Sequence, residues 1–219
     1  MYLKRVEFRF FLLVVIQLSF FGPLQALSNY EIRTKLFVLS ENGLNLREES
    51  SPEGKKLTLV PYGATVTVVA LSPEATFNAD GISGRWVKIQ YKSFSGFVFD
   101  GFLSTFAAPK KGCRNFKDYL SYVIGPGKKE TIAAGDYEGQ SAIRFGKNIL
   151  YMGEGGDTFD LYFPGISIEE LFLIGKLCRE IKAKKLVLAE GGEFSEGFGN
   201  FENRMYLDEN HVVIFRRML

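Results

Sequence analysis

From Lys35 to Phe99, short runs of alternating or β-branched residues are separated by glycine, proline and asparagine. This punctuation confines the stretch to a small all-β unit. Lys35 to Ser40 is the first expected strand. Gly43-Leu44-Asn45-Leu46-Arg47 alternates apolar and polar, so Leu44 and Leu46 share a face. Leu57 to Val60 is a short strand, Pro61-Tyr62-Gly63 a turn, and Thr65 to Ala70 a β-branched run. Residues 71–84, with Pro73, Asn78, Asp80, Gly81 and Gly84, read as an exposed loop. Trp86 to Tyr91 alternates again, with Trp86, Lys88 and Gln90 on one face and Val87, Ile89 and Tyr91 on the other. Phe97 to Phe99 closes the series. The expected core is Leu44, Leu46, Val66, Val68, Val87, Ile89 and Val98, a thin one for a unit of about 70 residues.

Four blocks within this stretch carry a family resemblance. They are Gly43-Leu44-Asn45-Leu46-Arg47-Glu48, Pro61-Tyr62-Gly63-Ala64-Thr65-Val66, Gly84-Arg85-Trp86-Val87-Lys88-Ile89 and Gly96-Phe97-Val98-Phe99-Asp100-Gly101-Phe102-Leu103-Ser104. In order and spacing they resemble bacterial SH3 (SH3b) domains. Phe97 and Phe102 stand where that family usually has Trp and Tyr. The resemblance implies a five- to six-stranded barrel over residues 29–106, found in exported proteins and suited to binding peptidoglycan or a peptide. Tyr62, Trp86, Tyr91, Phe99 and Phe102 are the candidate ligand-binding groove, since rings with polar tips stack on sugars and dock extended peptides. The same rings would otherwise complete the small core.

Export is read from the N-terminus. Lys4, Arg5 and Arg9 precede an apolar run from Phe10 to Phe21, broken only by Gln17 and Ser19. Gly22 and Pro23 end it, and Ala26-Leu27-Ser28 places small residues before a cleavage point at Asn29. Residues 1–28 are therefore an expected signal peptide, too short to span a bilayer core of about 30 Å, so no membrane span is expected after cleavage. No cysteine follows the run, which gives no support to a lipid anchor. The remaining chain carries 24 basic residues (27 less Lys4, Arg5 and Arg9) and 24 acidic ones (25 less Glu7), a balance that argues against a nucleic-acid partner. In an oxidising compartment, periplasm or cell surface, the two cysteines, Cys113 and Cys178, are expected to pair. The alternative is two buried thiols.

Ala107 to Gly112 reads as a linker, residues 107–112, ahead of a second domain, 113–219, that resembles no recognised family. Phe116, Tyr119, Leu120 and Val123 have helical spacing. Ala142–Phe145 and Ile149–Met152 flank a turn, and Thr158 to Phe163 is a further strand. Ser167 and Glu170 form a capping box ahead of the apolar stripe Leu171, Ile174, Gly175, Cys178 and Ile181, with Lys182, Lys184 and Lys185 at its end. Leu186 to Ala189 is an expected buried strand, Glu190 to Asn200 a mobile acidic loop, and Met205–Leu207 with His211–Phe215 a final hairpin. The fold class is β-rich, α+β overall: an SH3-like barrel followed by an antiparallel sheet with one main helix.

No catalytic constellation emerges. A cysteine peptidase of the kind that accompanies SH3b modules needs Cys, His and an orienting group. The single histidine, His211, starts an expected strand, and Cys113 lies in Gly112-Cys113-Arg114-Asn115, unlike that family's nucleophile context. Tetrahedral zinc lacks ligands, no phosphate loop is complete, and no cofactor is expected. The chain reads as an exported, non-enzymatic envelope-binding protein. The rival is a cell-wall hydrolase whose site lies in the second domain, with Glu193, Glu196 and Glu202 as carboxylates. A third reading makes that domain an inhibitor or a host-facing adhesin.

Overall fold

The computed structural model describes residues 30–71, 76–133, 138–152 and 158–219, without the Phe198 side chain. The expected signal peptide lies outside the described residues.

The first half is a seven-stranded antiparallel sheet in the order β3-β2-β8-β7-β4-β1-β9. Its strands are β1 (Lys35–Val38), β2 (Leu44–Arg47), β3 (Lys56–Val60), β4 (Thr65–Leu71), β7 (Trp86–Tyr91), β8 (Phe94–Phe99) and β9 (Leu103–Ser104). A 3-10 turn, Asp100–Phe102, joins the last two. Irregular registers in β2 and β4 bend the sheet at those points. The expected closed barrel is not formed. β9 is two residues long and pairs only with β1, while β3 pairs only with β2, so the sheet stays open at both edges. All seven expected core residues are buried in one cluster with Leu36, Val38, Val60 and Leu103.

The expected loop over 71–84 is, in its described part, a hairpin of β5 (Phe77–Ala79) and β6 (Ile82–Gly84). Polar turn formers concealed it, yet Ile82 is 1% exposed. Gly81, at its tip, has φ +82°, and a Cβ there would lie 1.8 Å from the Leu186 carbonyl oxygen. Only glycine allows that approach, and the Leu186 amide donates to the Asp80 carbonyl at 3.2 Å across the same contact.

The second half is another seven-stranded antiparallel sheet, β10-β11-β12-β13-β16-β15-β14. It comprises β10 (Lys128–Thr131), β11 (Ser141–Phe145), β12 (Asn148–Met152), β13 (Phe159–Phe163), β14 (Phe194–Phe198), β15 (Phe201–Leu207) and β16 (Val213–Met218). Helix α1 (Phe116–Val123) is capped by Asn115, whose side chain accepts from the Asp118 amide. Helix α2 (Ile168–Leu177) carries the expected capping box of Ser167 and Glu170. It stops with Cys178 as C-cap, so Ile181 and the lysines at 182–185 lie beyond the helix. Three other expectations fail. Leu186–Ala189 makes only an isolated bridge, Leu188 to Phe194, and Val187 is 72% exposed. Part of the expected acidic loop is strand β14, paired with β15 from Phe194 to Phe198. His211 sits in the turn before β16 with φ +59°.

Both helices pack on one core that also takes in the first half. Phe116, Tyr119, Phe145, Phe163, Phe172 and Phe215 share a cluster with Leu39, Ile82 and Phe99. The first half of the expected linker, residues 107–109, is held within this seam, while 110–112 are exposed. Ala108 and Pro109 are buried, the Tyr62 hydroxyl donates to the Pro109 carbonyl at 2.6 Å, and the Tyr119 hydroxyl donates to that of Ala107 at 3.0 Å. A Cys113–Cys178 disulfide joins the residue three before α1 to the cap of α2, across 65 positions.

Candidate binding cleft

The five rings read as a groove do not form one exposed surface. Trp86 is buried at 8% exposure and Phe99 at 7%. Phe99 packs edge-to-face against Phe77 and Phe102, with ring centroids 5.6 and 5.5 Å away. Phe102 touches both cores. Tyr62 turns into the seam, where burial pushes its hydroxyl up to about 12. Tyr91 packs partly against the first core with the Lys92 ammonium 5.2 Å from its ring.

A cleft of about 1050 Å³ lies between the halves. The first half supplies Tyr30, Leu36, Leu103, Ser104 and Thr105, and the second supplies the first turn of α2, residues 190–193, Tyr206, Leu207 and His211. Local chemistry fixes each wall. Tyr30 is anchored because its hydroxyl donates to Asp100 Oδ2, while the Arg85 amide donates to Asp100 Oδ1 at 2.6 Å and the Arg85 guanidinium lies 3.5 Å from Oδ2. Burial raises the Asp100 carboxyl against the pull of these donors, and burial together with Asp100 drives the Tyr30 hydroxyl far up.

On the opposite wall Glu170 Oε2 accepts from the Ser167 amide at 3.0 Å, and the Ser167 hydroxyl accepts from the Glu170 amide at 3.1 Å. Burial raises Glu170, opposed by hydrogen bonds from Ser104, Ser167 and Thr105, so this carboxylate ties α2 to β9. Burial also raises its neighbour Glu169, opposed by its own amide and the Ser167 hydroxyl. One oxygen, Glu169 Oε2, is fully buried without a hydrogen-bond partner. Glu193 reaches Arg204 at 3.6 Å. Leu188 and Leu207 are 41% and 42% exposed, so the cleft offers apolar surface beside its acids. Concave sites with a mostly apolar lining and a few placed polar groups are where ligands bind.

The remaining sequence candidates are scattered. Glu196 is spent on the backbone, accepting from the Ala183 amide at 2.7 Å and the Lys182 amide at 3.1 Å. Glu202 pairs with Arg204 at 2.9 Å and takes the Ser195 hydroxyl. Only Glu193 of those three lines the cleft. Cys113 is oxidised to the disulfide and offers no thiolate. Among the described residues no three His, Cys, Asp or Glu side chains gather as metal ligands, and no helix is long and apolar enough to cross a membrane. Sequence reasoning missed Tyr30, Ser104 and Glu169, although the capping box marked where acids cluster at a helix start.

Residues 42–104 match the family model of the bacterial SH3 domain. No curated protein and no solved structure matches the chain.

Proposed function

We propose that the protein is an exported, non-catalytic binder of a cell-wall component, peptidoglycan or an envelope peptide, held in the cleft between its SH3 half and its second half. The observation that carries this reading is the bacterial SH3 match at 42–104 together with a cleft walled by both halves. A disulfide fits an oxidising, extracytoplasmic setting. The seam explains why the ligand is not sought on the SH3 rings: Trp86 and Phe99 are taken up by packing.

One observation favours a second reading, that of a cell-wall hydrolase. Glu169 is a carboxyl raised by burial in a cleft that also holds Glu190 and Glu193, the pairing of a proton donor with carboxylates that glycoside cleavage uses. Incubating the mature protein with purified sacculi separates the two. Co-sedimentation without soluble muropeptides supports the binder, released muropeptides transfer the case to the hydrolase, and a protein left wholly in the supernatant with no muropeptides released overturns both.

A further inference from the structure

Residues 29–219 are neutral in sum but not in distribution. Residues 110–129 carry Lys110, Lys111, Arg114, Lys117, Lys128 and Lys129 against the single acid Asp118, and all six cations are exposed. Arg114 pairs with Asp118 at 3.1 Å, and Lys128 acts electrostatically on Glu130. Six exposed cations in one short stretch against one acid favour an anionic partner.

This stretch borders a second concavity of about 590 Å³, between α1 and the β10–β11 edge. Lys117 of α1 faces it from one wall and Lys129 of β10 from the other. Thr131 and Ser141 add hydroxyls, and Ile143 and Met152 an apolar floor. Glu130 also lines it, its carboxylate engaged by Arg144 at 2.6 Å. Two ammonium groups flanking hydroxyls over an apolar floor match a phosphodiester attached to acyl chains. Ile124, the C-cap of α1 and two helical turns beyond Lys117 on the same face, is 40% exposed, so apolar surface adjoins the cations.

We propose that the pocket between α1 and the β10–β11 edge binds the phosphodiester headgroup of an anionic phospholipid, seating this end of the protein on a membrane surface without crossing it. Exposed Ile124, on the same face of α1 as Lys117, and the Ile143–Met152 floor favour a lipid surface over a free anion. The site is separate from the cleft and does not rest on the wall-binding reading.

The test is sedimentation of the full mature chain with vesicles of phosphatidylglycerol and phosphatidylcholine, against phosphatidylcholine alone. Binding to the anionic vesicles only, weakening as salt is raised, is expected. Lys117→Gln with Lys129→Gln, both surface changes, should weaken it about thirtyfold. Ile124→Ser should weaken it while leaving the salt dependence in place. Equal binding to both vesicle types, no binding to either, or indifference to the double lysine variant overturns the proposal. Saturable binding of inorganic phosphate without vesicle binding overturns the lipid assignment as well.

Discussion

Glu180 shows how tightly the second half is wired at the level of single side chains. It is 5% exposed, its carboxylate accepts from the Phe116 amide at 3.0 Å and meets the Arg217 guanidinium at 2.8 Å. Arg217 in turn donates to Asn203 Oδ1 at 2.8 Å, and Asn203 donates to the Glu180 carbonyl at 3.0 Å. Removing one partner of such a buried pair leaves an uncompensated charge, costing about 3–5 kcal/mol. Arg217→Met should lower the denaturant-unfolding free energy by that order, and a change under about 1 kcal/mol would show that the pair is dispensable. Gly81→Ala acts by sterics instead. The new methyl meets the Leu186 carbonyl and adopts a left-handed backbone that disfavours a Cβ. A loss of about 2–4 kcal/mol is expected in the same measurement.

At the level of elements, the disulfide is the feature with the clearest energetic consequence. Closing a 65-residue separation removes chain entropy from the unfolded state, worth about 4 kcal/mol. Reduction should lower the unfolding free energy by that order, and identical denaturation curves with and without reductant would count against it. Elements were legible in the sequence where a local rule dominated. The alternation of Leu44 and Leu46, the β-branched run of β4 and the Ser167–Glu170 box all act within a few residues, and each produced its element. Elements were missed where pairing came from afar. β14 is a glycine-containing acidic run that becomes a strand because β15 pairs with it, and β5–β6 is a hairpin whose Ile82 is buried by the other half. The candidate site was less legible than the fold, because its walls are some 60 or more residues apart, as in Ser104 and Glu170. The aromatic groove read from sequence was divided for the same reason, with Tyr62, Phe99 and Phe102 drawn to the seam and Tyr91 to the first core: composition shows that rings are present, not which neighbour covers them.

At the level of the whole molecule, the shared core makes the two halves one folding unit. Leu39, Ile82 and Phe99 are buried by the second half, so a 30–106 fragment exposes apolar surface that the intact chain hides. Calorimetry of the mature chain should show one transition, and two well-separated transitions would contradict the shared core. Stability should also depend on pH in a stated direction. Burial raises Asp100, Glu169, Glu170 and Glu180 above their ordinary carboxyl values. Each binds its proton more tightly folded than unfolded, so their contribution grows as pH falls towards the ordinary glutamate value of 4.5 and is lost as pH rises through their shifted values. Glu130 and Glu202, held low by arginines, act oppositely below that value, and weakly because they are exposed. The thermal midpoint should be higher near pH 5 than near pH 7.5, and a steady fall over that interval on acidification would refute the assignment.

Trp86 is the sole indole of the chain, 8% exposed and paired in register with Phe99 across β7 and β8. The molecule therefore carries its own optical gauge. Folded, its emission should be blue-shifted and shielded from soluble quenchers, and it should report the loosening of β7 from β8 rather than events on the outer surface.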